Sequence, residues 1–276
     1  MSRAANVAVA VIAGGLILGT SAARAQPGQW RALSEPAEPV VPRSVWGFSL
    51  SGGPYLPDVD EEFGGGTGPF EAMFGDGAGF MGLLEADYFF LWPGGQLGAF
   101  ISAGYFQTSA AAFATDDAGD ILMGPDGPIR SAGDTTTFHL LPTAAGAIYR
   151  LSVLDEQLSV PLVPYGKLGL AYYLWWATRP DGSVSEAGDG GCDVADPTCD
   201  GNRASGGTLG WQATAGLALR TERIDPDAAR NLRNQLGIQH VSLFIELTYA
   251  NIDGLGQADR LHVGDLTWFA GLGFQM

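Results

Sequence analysis

The sequence predicts an all-β fold: one eight-stranded antiparallel up-and-down transmembrane β-barrel. Three observations carry this. An apolar N-terminal leader marks the chain for export. No later stretch reaches the roughly 18 consecutive apolar residues that a spanning helix needs. Segment after segment alternates apolar and polar residues with the period of two that a strand imposes. In lipid every backbone amide must find its partner within the protein, so a chain that spans without helices has to close its sheet into a ring.

The leader has Arg3, an apolar stretch from Ala4 to Thr20, and Ala23-Arg24-Ala25, the small-x-small pattern of signal-peptidase cleavage. Gly14 and Gly15 interrupt a short apolar core, which argues against a retained helix. Residues 1–25 therefore read as a signal peptide. Residues 26–44, with Pro27, Pro36, Pro39 and Pro42 among polar neighbours, read as a Pro-rich periplasmic tether, and 45–276 as the barrel. The 14 basic and 30 acidic residues give a net charge of −16, and loss of Arg3 and Arg24 with the leader leaves −18. That sign argues against a nucleic-acid partner.

The alternation is clearest near the C-terminus. Leu209, Trp211, Ala213, Ala215, Leu217 and Leu219 take every second place in 207–222, and Val241, Leu243, Ile245, Leu247 and Tyr249 do so in 239–252. In 265–276 the apolar set is Leu266, Trp268, Ala270, Leu272, Phe274 and Met276. Runs of about ten such residues mark membrane-crossing strands. The same reading places strands at 45–55, 79–91, 97–108, 135–151 and 162–178, and Pro142 predicts a bulge or a change of facing in the fourth. An eight-stranded bore is only just wide enough for side chains, so the Gly, Ala, Thr and Ser face must point in and the Leu, Trp and Tyr face out, where it needs lipid. A soluble barrel of the lipocalin sort would not bear such an exterior.

Connection lengths alternate too. Pro93-Gly94-Gly95-Gln96 is a tight turn, whereas 56–78, 109–134, 179–206 and 253–263 are long and polar, the outer-membrane arrangement with both termini periplasmic. In 223–238, Asp225 is a cap, Pro226 takes the first helical position, Leu232 and Leu236 lie one turn apart and Gly237 is a stop, so a short helix is expected. Aromatics gather at the strand ends as two girdles: Trp46, Tyr88, Phe90, Trp92 and Phe274 toward the periplasm, and Tyr105, Trp175, Trp176, Trp211, Tyr249 and Trp268 toward the outside.

The closing string TWFAGLGFQM, with Trp268, Leu272 and Phe274 on its apolar face, resembles the C-terminal signal by which outer-membrane barrels are recognised for insertion, although that pattern usually ends on the aromatic itself. The resemblance implies the barrel-assembly machinery as a partner during biogenesis. The segments VPLVPYGKLGLAYYLWW (160–176), IDPDAARNLRNQLGIQH (224–240) and VGDLTWFAGLGF (263–274) resemble a family of predicted outer-membrane β-barrel proteins from predatory and soil Gram-negative bacteria of the myxobacterial kind. This implies architecture and location and carries no function with it. By layout the chain is similar to small eight-stranded barrels of the OmpA and OmpX type.

Alternation also says which charges point into the bore: Glu85, Asp87, Arg150, Lys167, Arg220 and Glu246. Two signs in a narrow interior should pair, because an unpaired buried charge is expensive. Arg220 is expected to pair with Glu246 on the neighbouring strand and Lys167 with Glu85 or Asp87 across the barrel. Such a set is either a packed polar plug or an ion path. The acidic loops 56–78 and 179–206 offer oxygen ligands, so divalent cations are a candidate partner, best placed at Asp189 to Asn202, although the spacing matches no EF-hand loop. His139 and His262, near the outer ends of their strands, are the candidate catalytic groups of a barrel enzyme, and no nucleophile motif stands beside either; His240 belongs to the periplasmic rim.

These residues point first to a non-enzymatic barrel that anchors acidic loops among outer-membrane lipid and lipopolysaccharide, with no cofactor. A narrow pore is the second reading, and a lipid-modifying enzyme or protease the third.

Cys192 and Cys199 lie close together in a chain bound for an oxidising compartment, and two thiols alone do not make a zinc site, so a local disulfide is expected. The bridge would close a small loop and fix its shape more than it would stabilise the barrel. Alkylation of the unreduced mature protein should find no free thiol; labelling of both cysteines would rule the bridge out.

Overall fold

Closure of the backbone starts where the two ends of the sheet meet. The amides of Val45 and Trp46 both donate to the carbonyl of Met276, and from there β1 (Trp46–Tyr55) runs antiparallel to β8 (Asp265–Gln275), with Phe48 opposite Phe274 and Leu50 opposite Leu272. Between them β2 (Gly79–Leu91), β3 (Gln96–Phe113), β4 (Arg130–Arg150), β5 (Leu162–Thr178), β6 (Ser205–Arg220) and β7 (His240–Asn251) follow one another round the ring, each antiparallel to the strand before it. The sheet is a closed barrel of eight strands in sequence order. This computed structural model describes residues 44–60, 68–116, 120–125, 127–158, 160–185, 203–223, 226–256 and 261–276. The leader, nearly all of the tether, the two cysteines and the Asp189 to Asn202 stretch lie outside the described residues.

The exterior has the chemistry of a lipid-facing surface. Leu84, Ile101, Leu168, Leu170, Ile245 and Leu266 are each more than half exposed and belong to one belt around the ring. Water-soluble chains rarely expose a contiguous apolar patch above a few hundred Å². Trp46, Tyr88 and Phe90 at one end, and Tyr105, Trp211, Tyr249 and Trp268 at the other, stay outward and exposed. Trp92 and Trp175 do not join these girdles. Both pack against the interior core, Trp175 stacking on Phe138 at 6.4 Å.

β3 and β4 are longer than the alternation indicates. Pairing of β3 with β2 ends at Phe106 and that of β4 with β5 at Thr137, yet β3 continues to Phe113 against β4, which starts at Arg130, so beyond Ser109 and Thr137 the two form a ribbon of their own. Ala110 and Ala111 there face Thr136 and Thr135, β-branched residues that favour a strand without giving an apolar rhythm. Pro142 brings neither a bulge nor a change of facing. The register is the same on both sides of it, Ala103 opposite Thr143 and Phe106 opposite Leu140, and Leu140, Pro142 and Ala144 all turn inward. Its missing N–H shows instead as a gap in the β3–β4 pairing at Gly104 and Tyr105.

Among the described residues three α-helices decorate the ring: α1 (Pro69–Phe74) at the rim of the long loops, and α2 (Val153–Leu158) and α3 (Pro226–Leu236) at the rim of the tight turn. Only α3 was expected. It starts at its proline and ends at Gly237, whose φ of +71° suits glycine and whose amide returns to Arg233 O at 3.1 Å.

A ring without edges offers detergent no frayed strand from which to unravel it. The unboiled protein should therefore migrate differently from the boiled protein on a denaturing gel, and identical migration over a range of mild conditions would contradict the closed ring.

Candidate functional site in the barrel interior

Lys167 stands inside the bore on β5, between Ile148 of β4 and Thr214 of β6 in the ladders. Its Nζ lies 2.8 Å from each carboxylate oxygen of Glu85 on β2 and 2.9 Å from Oε2 of Glu246 on β7, so one cation ties together three strands of the ring. All three side chains are less than a tenth exposed. Tyr165, two residues before Lys167, donates its hydroxyl to the same Glu246 oxygen at 2.8 Å. Its ring fits only because residue 216 on β6 is glycine: a Cβ there would lie 2.3 Å from Tyr165 Cζ. One layer away Arg150 Nη2 meets Asp87 Oδ2 at 2.7 Å while its guanidinium lies over the Phe89 ring. These pairs are largely removed from bulk water, so each ion depends mainly on its partner for solvation.

Arg220 faces inward but not toward Glu246. It stands opposite Ser242, four residues along β7 from Glu246, and pairs instead with Asp155 of α2 at 2.5 Å. Alternation gives the facing of a residue and not its height in the bore, and here height decides. Asp155 was not singled out because its segment carries no strand rhythm. The opposite charge needed by a buried, inward-facing arginine was the available signal.

Both ends of the bore are filled. At the turn rim the α2 plug is joined by a Gln275 to Gln96 hydrogen bond of 3.1 Å and one from Ser44 to Gln239 of 3.0 Å, with Phe89 fully buried. At the loop rim α1 lays Phe70 edge-on against Phe138 at 5.5 Å, above Tyr55 and Phe106, which also meet edge-on. Asp60 holds one end of α1, accepting from the amides of Phe70 and Glu71 at 2.8 and 2.6 Å. Arg130 holds the other, donating to Ala72 O and Met73 O at 2.6 and 3.0 Å and to Ala111 O of β3 at 2.7 Å. Between the ends remains a cavity of about 30 Å³ beside Glu85, Lys167, Glu246 and the hydroxyls of Ser51, Ser102, Thr214 and Thr248. A space of that size has room for about one water molecule.

His139 lies on the outer face of β4, stacked on Trp176 with centroids 5.1 Å apart; Tyr105 OH and Thr178 Oγ1 lie 2.7 and 3.1 Å from its two ring nitrogens. His262 precedes β8, half the ring away from β4, so the two candidate catalytic histidines do not share a site. His240 contacts Glu222 at 2.9 Å on the turn rim. Trp268, Leu272 and Phe274 lie in one row on the outer face of β8.

No family model and no curated protein matches the chain. Among solved structures it is similar to the outer membrane protein OprG of Pseudomonas aeruginosa, at 12% identity over 84% of this chain and 96% of that one with a TM-score of 0.44. It is similar also to Ail, the attachment invasion locus protein of Yersinia pestis, solved with the heparin analogue sucrose octasulfate, at 15% identity, 84% and 97% coverage and a TM-score of 0.37. The outer membrane protease OmpT of Escherichia coli follows at 9% identity, 84% and 94% coverage and a TM-score of 0.33. None of these likenesses assigns a ligand or an activity; the ring of eight ladders and the apolar belt of the chain itself make it an eight-stranded barrel of the membrane-spanning type.

Proposed function

We propose that the chain is a non-enzymatic outer-membrane barrel, closed to solutes, that holds acidic loops at the cell surface, where lipopolysaccharide and divalent cations are the partners its position and charge suit, and that the barrel-assembly machinery inserts it. The filled bore is the observation that carries this reading. Aromatic rings under α1, the Lys167 cluster at mid-height and the α2 plug succeed one another along the axis. Interior charges of this kind hold strands together. The acidic groups outside the bore, among them Glu71, Asp76, Asp116, Asp120 and Asp134, cluster at the loop rim, which would face outward if both termini are periplasmic. His139 is already engaged by an aromatic stack and two hydroxyls, which favours a structural role for it over general-base work.

Lys167→Met tests the reading. It leaves Glu85 and Glu246 facing each other without a cation, a loss of about 3 kcal/mol for a buried pair deprived of one partner. The unfolding midpoint in detergent should fall. The combined substitution Lys167→Met, Glu85→Gln, Glu246→Gln should recover much of the loss, because the charges disappear together. Neither protein should conduct in a planar bilayer. Steady ohmic channels from the wild type, with ion preference altered by Lys167→Met at unchanged stability, would replace the plug with the transport reading.

A further inference from the structure

The two helices at the turn rim are used differently. α2 sends Asp155 into the bore, whereas α3 has no buried residue and lies outside the wall. Its Ala229 and Leu232 face Ile238 and Val241 across a cavity of about 180 Å³, lined mainly by apolar atoms. The space is an open cleft whose exposed lining is mainly apolar, so an apolar occupant would remove that surface from water. Val241 begins the outward row that continues through Leu243, Ile245 and Leu247, so the cavity adjoins the foot of the apolar belt. Whatever covers the belt reaches the cavity mouth.

The charges around it fit one kind of occupant. By helical periodicity Arg233 borders the apolar side of α3, and Arg230 follows about 60° further round. Both are exposed; Arg230 pairs at the surface with Asp227 at 2.8 Å and donates to Pro226 O at 3.2 Å, which leaves Arg233 as the basic group for an occupant to meet. The acidic group in the lining, Glu222, already accepts from the amide of Val241 at 3.0 Å and contacts His240. An apolar slot with a basic border matches a phospholipid, whose acyl chain needs cover and whose phosphate needs a donor.

We propose that α3 is a phospholipid clasp: an acyl chain of the leaflet at the turn rim enters between α3 and the wall, and its phosphate is met by Arg233. The proposal rests on the membrane reading above and adds a specific lipid site to it. The test uses the full mature protein in bilayers of phosphatidylethanolamine and phosphatidylglycerol containing a phosphatidylglycerol with a diazirine in its acyl chain, with adducts mapped by mass spectrometry after illumination. Adducts are expected on α3 and Ile238 as well as on the belt. Leu232→Trp fills the cavity and should cut the α3 adducts about tenfold while leaving the belt adducts and the gel mobility shift unchanged; Arg233→Glu should weaken them in the same sense. A labelled belt with unlabelled α3, or no effect of Leu232→Trp, overturns the clasp and leaves the membrane reading standing. Cross-links between α3 helices of two copies in place of lipid adducts overturn it as well. An unlabelled belt overturns the membrane reading itself.

Discussion

An eight-stranded ring encloses a bore about one side chain wide, and everything placed inside it must both fit and be paired. The position of Lys167 is the clearest result of that constraint. A lone cation in such a bore would be prohibitive, and two carboxylates held at 2.8 and 2.9 Å make it tolerable. Because Glu85, Lys167 and Glu246 come from strands well separated around the ring, their contact forms only when the ring has closed with the right register. The apolar belt drives the chain into lipid without selecting any one pairing of strands. A one-residue slip in β2, β5 or β7 would turn one of these charges outward among acyl chains, so the interior charges penalise wrong registers more than they add stability to the right one.

Space inside the bore is apportioned by pairing large residues with small ones. Tyr165 reaches Glu246 across the vacancy left by Gly216, and Phe100 lies beside Gly169. The interior is thus bulkier than a face of Gly, Ala, Ser and Thr implies: Tyr55, Phe89, Phe106, Leu140 and Ile148 are almost wholly buried there. Large side chains gather toward the two ends, where α1 and α2 cover them, and the polar hydroxyls keep to the middle around the ion cluster.

Much of this fold was legible because a lipid-facing strand must alternate. The bounds of β2 and β5 could be read closely from the change of rhythm into Pro93-Gly94-Gly95 and out of Pro180-Asp181-Gly182. The same signal fails outside lipid, where Ala and Thr suffice for a strand, so the outer ends of β3 past residue 108 and of β4 before residue 135 could not be read. Helices of six residues complete fewer than two turns and leave no period to detect, which is why α1 and α2 escaped while the longer, capped α3 did not. At the candidate site, alternation identifies the inward charges, and partner choice depends on axial height, which needs the register. Lys167 could thus be linked only to Glu85 or Asp87 across the ring, of which the register selects Glu85 and leaves Asp87 to Arg150, whereas Arg220, opposite Ser242, could not be directed to Asp155 on an unanticipated helix.

The unequal strands give the barrel a one-sided profile. Past Phe106 the β3 strand runs on for seven residues against β4, and at about 3.3 Å per residue this wall stands some 20 Å above the last step shared with β2. On the opposite side β7 and β8 end at Asn251 and Asp265, close to the level of Trp211. Among the described residues this ribbon is therefore the longest extension of the sheet past the ring. Arg130, opposite Phe113 at the tip of that ribbon, fastens α1 to it, so the aromatic cover of the bore and the longest strands are tied to each other.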